Sequence, residues 1–195
     1  MRILTLLFLF FCALPAFSKT VIIDAGHGGR DVGGKWGKVY EKHLALDTAL
    51  RMEYYLKQKG YNTVMIRTDD RFIPLSQRAN IANQYPGAIF ISVHYNSTWK
   101  KSVQGLETFY HSPGSKLLAQ ACHAGMHSQV LAADRGVKHA RYYVLRHNRL
   151  PAILVEGGFL SHTRERNMVM KGDYRDKLAH GIVDGVVAYD KCGAW

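Results

Sequence analysis

Several features that would divide or extend a protein chain are missing from this sequence. It has no internal repeat, no low-complexity stretch and no linker long enough to separate two domains, so its 195 residues predict one domain. Charged residues make up only 21% of the chain against 47% hydrophobic residues, a balance that is typical of globular proteins and argues against disorder. The apolar run at residues 3–14 is shorter than the roughly 20 residues that a transmembrane helix needs, so a membrane span is not expected.

That apolar run instead has the form of a secretory signal peptide. It follows the positive charge of Arg2 and ends in small residues, Ala16 and Ser18, at the two positions that a signal peptidase recognises. We therefore predict a signal peptide over residues 1–18 and a mature domain over residues 19–195. The mature protein is expected in the periplasm or outside the cell, with no stable membrane insertion.

Acidic residues are scarce as well. The chain has 15 Asp and Glu against 26 Lys and Arg, which gives a formal net charge of +11. A basic exported protein favours an anionic partner. Export and the lack of the aromatic-basic motifs of common nucleic-acid folds argue against nucleic acid. A cell-wall polymer with free peptide carboxylates fits better, and simple solubility is the alternative explanation.

Cysteine is rare, with 3 residues in the chain, one of them inside the predicted signal peptide. The mature domain keeps Cys122 and Cys192. In an exported protein this pair could form a disulfide. Two unpaired thiols are an equal alternative, and the sequence leaves both possibilities open.

Strand and helix patterns alternate along the mature chain. Strands are predicted as short apolar or alternating runs, and helices from apolar residues spaced three and four apart. This alternation predicts a single α/β domain with a mainly parallel, twisted central sheet of about six strands and helices on both faces. Strands are expected at 20–24, 61–67, 88–93, 105–110 (an edge strand), 142–145 and 152–155, and helices at 41–59, 74–84, 115–131 and 173–189.

Four chemically unusual side chains fall where the predicted strands end. His27 follows the first strand, while His94 and Glu156 come directly after two later ones. In such sheets ligands bind beyond the carboxyl ends of the strands. Glu41 opens the first helix four residues before Ala45, so its carboxylate lies on the buried face and calls for a partner.

Two histidines and one carboxylate are the ligand set of a catalytic zinc, which keeps a fourth position for water. His27, Glu41 and His94 would supply this set, and Glu156 is the candidate general base. The spacing alone supports this weakly. The chain has 10 histidines, and the helical His-Glu-x-x-His signature is absent.

Longer motifs surround each of these residues. They are VIIDAGHGG at 21–29, GKVYEK at 37–42, FISVHYNS at 90–97 and LVEGGFLS at 154–161. All four, in this order, resemble the motifs of the zinc-dependent N-acetylmuramoyl-L-alanine amidases. The resemblance extends over nearly the whole mature chain, which makes it far more specific than any single motif.

The resemblance implies one zinc ion held by His27, Glu41 and His94, with Glu156 as the general base. It further implies hydrolysis of the amide between N-acetylmuramic acid and L-alanine in peptidoglycan, which releases stem peptides. We expect a monomer. Peptidase activity within the stem peptide and a non-catalytic wall-binding role are the alternatives.

Further polar residues near these motifs have two explanations each. Asn96 could position the substrate or fix the turn after His94, and Glu107 could line the cleft or be a solvated strand charge. Asp24 could orient the His27 ring or cap its turn. Gly157 stands where the family often has a larger residue, so we expect it to widen or loosen the wall of the site.

Overall fold

Apolar and β-branched residues form the central strands of the fold, which a computed structural model describes for residues 18–195. The predicted signal peptide lies outside this part of the chain except for Ser18. The main strands are β1 (Thr20–Ala25), β4 (Asn62–Met65), β5 (Ile89–Asn96), β6 (Leu106–Tyr110), β7 (Asp134–His139) and β8 (Ala152–Phe159), and β2 (Lys35–Trp36) and β3 (Val39–Tyr40) form a small separate hairpin.

These main strands form one six-stranded sheet in the order β4-β1-β5-β8-β6-β7. β1 is parallel to β4 and β5, β5 is parallel to β8, and β6 is parallel to β7. The pairing of β6 with β8 is antiparallel. The predicted α/β class with a mainly parallel sheet of about six strands is confirmed.

Helices cover both faces of this sheet. They are α1 (Glu41–Gln58), α2 (Leu75–Ala82), α3 (Lys116–Gln129), α4 (Tyr143–Arg146), α5 (Thr163–Val169) and α6 (Gly172–Lys191). Successive side chains of β1 point into two different hydrophobic cores, one on each face of the sheet. Val21 and Ile23 belong to the larger core, together with buried residues of α1, α3 and α6. Ile22 belongs to the smaller core, together with buried residues of α2 and α4. Each fully buried aliphatic side chain of this kind stabilises the fold by roughly 1.5–3 kcal/mol. Within residues 18–195, no helix has the length and apolar character needed to cross a membrane.

Two local predictions about the sheet were wrong. The aromatic and aliphatic residues at 142–145, predicted as a strand, form helix α4, whose Val144 and Leu145 are buried in the smaller core. The sixth strand is β7, whose polar sequence DRGVKH gave no strand signal. Because β7 pairs with β6, β6 is an interior strand and not the edge strand predicted at 105–110.

The two cysteines of the described chain are separate free thiols. Cys122 is buried in α3, and burial raises the pKa of its thiol, whereas Cys192 is exposed just after α6. Of the two possibilities that the sequence left open, the structure therefore has the unpaired thiols.

Candidate active site

The loop after β1 holds His27 in an uncommon backbone conformation. Its φ of 59° lies in the left-handed region, where a non-glycine residue costs on the order of 1–3 kcal/mol. Gly28 and Asp31 close the loop by exchanging two backbone hydrogen bonds of 2.9 and 3.2 Å. A conformation of this cost persists only if the surrounding structure holds it in place.

Two buried arginines provide that support by binding consecutive backbone carbonyls of the loop. Arg67 donates from Nε to the oxygen of Ala25 at 2.9 Å and from Nη2 to that of Gly26 at 2.6 Å. Arg78 donates from Nη1 to Ala25 at 2.7 Å and from Nη2 to His27 at 2.5 Å. Charged donors make stronger hydrogen bonds than neutral ones, so this pair fixes the path of the chain at His27.

Asp24 does not have the role of orienting His27 that the sequence suggested. Its buried carboxylate accepts hydrogen bonds from Arg78 at 2.6 Å and from Ser92 at 2.8 Å. The carboxylate on the His27 ring is that of Asp31, whose Oδ1 lies 2.9 Å from Nδ1. Asp24 therefore fixes the arginine that holds the loop, and Asp31 fixes the imidazole.

We expect Arg78→Met to destabilise the protein by about 3–5 kcal/mol, because it leaves the buried carboxylate of Asp24 without its positively charged partner. The free energy of unfolding in urea measures this effect. Arg71→Met is the matched control, since Arg71 pairs with Asp69 on the exposed surface and should change stability little. Equal effects of the two substitutions would contradict the role assigned to Arg78.

The two histidines meet on one carboxylate oxygen. Oε1 of Glu41 lies 3.0 Å from Nε2 of His27 and 2.8 Å from Nδ1 of His94. The second oxygen, Oε2, accepts the backbone N–H of Gly34 at 2.7 Å. Burial opposes ionisation of Glu41, but its hydrogen bonds with the two histidines outweigh burial and hold its pKa below the ordinary value. Glu41 is therefore an anion, the form that a metal ligand requires.

This arrangement fits a metal ion. The three ligand atoms lie within 4.8 Å of one another, and ligand atoms of a tetrahedral zinc site are about 3.3 Å apart. The backbone also leaves no space for side chains beside the trio. A Cβ at Gly26 would lie 2.4 Å from the His94 ring, and one at Gly33 would lie 2.5 Å from Glu41 and from His27.

Glu156 stands beside this trio on the same face of the sheet. In the sheet register it pairs with His94 on β5 and with Glu107 on β6. Its carboxyl group is buried, and among the described residues Oε2 has no hydrogen-bond partner. Burial, followed by the charges of Glu41 and Glu107, raises the pKa of Glu156 well above its ordinary value. A buried, unpaired carboxyl group is costly to the fold and is typical of a functional site.

A cavity of about 510 Å³ brings these side chains together, with α2 and α4 forming part of its wall. Five of the six predicted site residues line it: His27, Glu41, His94, Asn96 and Glu156. Tyr142 and Tyr143, at the start of α4, face the same space. The sequence missed these two because the segment was predicted as a strand.

Glu107, the sixth predicted residue, is not among the described residues that line the cavity. It is buried and paired with Arg135 and Lys138 of β7, and its Oε2 accepts a hydrogen bond from Nδ2 of Asn96 at 2.9 Å. The alternative of a solvated strand charge is therefore wrong. Glu107 fixes the orientation of Asn96, and Asn96 faces the cavity.

Residues 21–188 match the protein family described as N-acetylmuramoyl-L-alanine amidase. The chain belongs to this amidase family. The amidase LytC of Bacillus subtilis (strain 168) is 34% identical over 179 residues, which are 90% of this chain and 36% of LytC. The chain thus spans about a third of that relative.

Solved amidase structures have the same fold. The catalytic domain of the amidase CwlV from Bacillus (Paenibacillus) polymyxa var. colistinus is 36% identical, with a TM-score of 0.86 over 89% of this chain and 98% of that domain. The N-acetylmuramoyl-L-alanine amidase from Clostridium difficile 630 is 40% identical, with a TM-score of 0.86 over 89% of this chain and 97% of that one. The region shared with the amidase family extends from β1 into α6 and contains every residue of the candidate site.

The departure from the amidase motif at Gly157 does not widen the wall of the site. A Cβ at this position would lie 2.4 Å from Leu178 and 2.7 Å from Tyr95, on the core side of β8. Successive residues of a strand point to opposite faces, so Gly157 faces away from the cavity that Glu156 faces. Here the glycine accommodates the packing of Tyr95 against the sheet.

Proposed function

We propose that this chain is a zinc-dependent amidase that hydrolyses the amide bond between N-acetylmuramic acid and L-alanine in peptidoglycan and releases stem peptides. The observation that carries the proposal is the unpaired, buried carboxyl group of Glu156 beside His94, in the cavity that also contains His27 and Glu41. Membership of the amidase family supports the choice of reaction.

The zinc ion would be held by Nε2 of His27, Oε1 of Glu41 and Nδ1 of His94. When bound, such an ion lowers the pKa of a water molecule and polarises the carbonyl group of the substrate. Asp31 accepts the remaining N–H of His27 at 2.9 Å, which fixes the tautomer that presents Nε2 to the metal.

Glu156 would move the proton. Its carboxylate accepts a proton from the attacking water as the new C–O bond to the lactyl carbonyl carbon forms. When the C–N bond breaks, the same group donates this proton to the departing nitrogen of L-alanine. A raised pKa suits both steps, because the group must take up a proton and also release it near neutral pH.

The net charge of the chain and its proposed export support a cell-wall substrate. The formal net charge of +11 favours an anionic polymer. We propose that residues 1–18 direct export and are removed, that residues 19–195 form the catalytic domain, and that this domain acts as a monomer in the periplasm or outside the cell. Nucleic acid is not part of this proposal.

Digestion of purified peptidoglycan, followed by mass spectrometry of the soluble products, tests the proposed reaction. We expect free stem peptides that begin with L-alanine, and we expect none when a chelator is present. Shortened peptides still attached to the sugar would indicate a peptidase instead. Sedimentation of the protein with the wall without soluble products would indicate a binding module. Either of these results would contradict the proposed amidase.

A further inference from the structure

A second cluster of metal-binding side chains lies outside the cavity. His123 and His127 are four residues apart on α3, so they share one face of the helix, and Asp134 begins β7. Oδ1 of Asp134 lies 2.9 Å from Nε2 of His123 and 3.7 Å from Nε2 of His127. The ligand atoms of this trio all lie within 4.8 Å of one another.

A buried threonine orients the first histidine. Oγ1 of Thr108 lies 2.9 Å from Nδ1 of His123, so the opposite ring nitrogen points at Asp134. A hydrogen bond on one ring nitrogen, with the other left for the metal, is how proteins position metal-binding imidazoles. Asp134 is fixed as well, because its Oδ1 accepts the backbone N–H of Gly136 at 2.7 Å.

The second histidine lacks a partner. Nε2 of His127 is buried, and among the described residues it has no hydrogen-bond partner. Its separation of 3.7 Å from Asp134 is too long for a hydrogen bond. Burying a polar nitrogen without a partner costs free energy, and a cation between the three side chains would remove that cost.

An ordinary helix-surface ion pair looks different. His180 and Asp184 are also four residues apart, on α6, and their atoms lie 3.1 Å apart with both side chains more than a third exposed. That pair has no third ligand within the described chain. The cluster on α3 and β7 differs from this pair in two ways. Nε2 of His127 is buried without a partner, and the ring of His123 is oriented by Thr108.

We propose that His123, His127 and Asp134 form a second zinc site, which joins the end of α3 to the start of β7. The donor set of two imidazoles and one carboxylate suits zinc, and the separations of 2.9 and 3.7 Å lie on either side of the spacing of about 3.3 Å between ligands of a tetrahedral site.

This site lies on the opposite face of the sheet from the cavity. Thr108, which contacts His123, follows Glu107 in β6, and consecutive strand residues point to opposite faces. The site would fix the start of β7, the strand whose Arg135 and Lys138 pair with Glu107. We therefore assign it a structural role that supports Glu107 without contacting the substrate.

Zinc content per chain, measured by mass spectrometry after dialysis against zinc, tests the proposal. We expect two equivalents in the unchanged protein, one in His127→Gln, one in His94→Ala, and none when these two substitutions are combined. His180→Gln is the matched control and should keep two. Wall hydrolysis by His127→Gln should remain within about twofold of that of the unchanged protein.

Asp134→Asn gives a second measure that does not alter the helix. In the His94→Ala background, added zinc should raise the melting temperature, and Asp134→Asn should abolish that rise. The proposal is wrong if His127→Gln and Asp134→Asn both keep the zinc content of the parent. Loss of zinc only with His94→Ala would overturn this site and leave the proposed amidase intact, whereas loss only with His127→Gln would support this site and contradict the amidase metal centre.

Discussion

Glu156→Gln is expected to lower the rate of stem-peptide release by about 10²- to 10⁴-fold, the usual contribution of a general acid-base group. Glutamine has the same shape but cannot take a proton from water and return it to the departing nitrogen. Because Glu156 is not one of the three proposed metal ligands, zinc content should remain unchanged. Mass spectrometry of released peptides and metal analysis of the same sample measure the two effects.

The neighbouring carboxylate provides the control. Glu107 is buried opposite Glu156 in the sheet register, but its charge is paired with Arg135 and Lys138. We expect Glu107→Gln to reduce the rate much less, because it disturbs the orientation of Asn96 and removes only a smaller cause of the raised pKa of Glu156, whose main cause is burial. If both substitutions lowered the rate equally, the unpaired state of Glu156 would not be what makes it catalytic.

The free energy of unfolding as a function of pH also distinguishes a catalytic Glu156 from one that only stabilises the fold. The unfolded carboxyl group ionises near its ordinary pKa of 4.5, while the folded one keeps its proton to higher pH. The folded state of metal-free protein therefore binds more protons above that pH, so this group makes the free energy of unfolding fall as pH rises. Glu156→Gln removes the cost of ionising a buried carboxyl group in the folded state. We expect metal-free Glu156→Gln to be at least as stable as the parent at neutral pH, and the difference to disappear well below pH 4.5.

Glu41→Gln is expected to abolish zinc binding at the candidate active site and to lower hydrolysis by about 10³-fold, since the metal contributes several kcal/mol to transition-state stabilisation. The substitution removes the negative charge of Glu41, which faces both His27 and His94. Zinc titration and peptide release at saturating zinc measure the result. Added zinc should not restore the rate.

Asp31→Asn is the comparison for this substitution. Asp31 contacts the far side of the His27 ring, and a partner of this kind typically changes metal affinity by about 10- to 100-fold. We therefore expect its activity to be low at limiting zinc and to recover when zinc is added. Recovery of Glu41→Gln under the same conditions would show that Glu41 is not a ligand.

The local sequence was enough to predict the strands that carry the site. The apolar run that precedes His94 and the spacing of apolar residues that follows Glu41 are local patterns, and each depends only on residues within one strand or helix. The ordered motifs also identified Glu156. His27, Glu41, His94, Asn96 and Glu156 accordingly line one cavity. The predicted strand ends were too early, because β5 continues to Asn96 and β8 to Phe159, so His94 and Glu156 lie within strands.

Two segments without such a local pattern were predicted wrongly. The polar sequence of β7 forms a strand because β6 offers it hydrogen bonds, and residues 142–145 enter a helix because Val144 and Leu145 are buried against the second face of the sheet. In both segments the partner that decides the structure comes from another part of the chain.

The sequence by itself determined the fold class, the family resemblance and five of the residues that line the cavity, since these follow from patterns within single elements and motifs. Only the tertiary structure decided the charge pairing around them. Arg67 and Arg78 bind carbonyl groups 41 to 53 residues away, and Arg135 pairs with Glu107 across 28 residues. Such contacts have no period in the sequence, because they depend on which side chains the sheet brings next to each other. For the same reason, the second histidine cluster became visible only when α3 was packed beside β7.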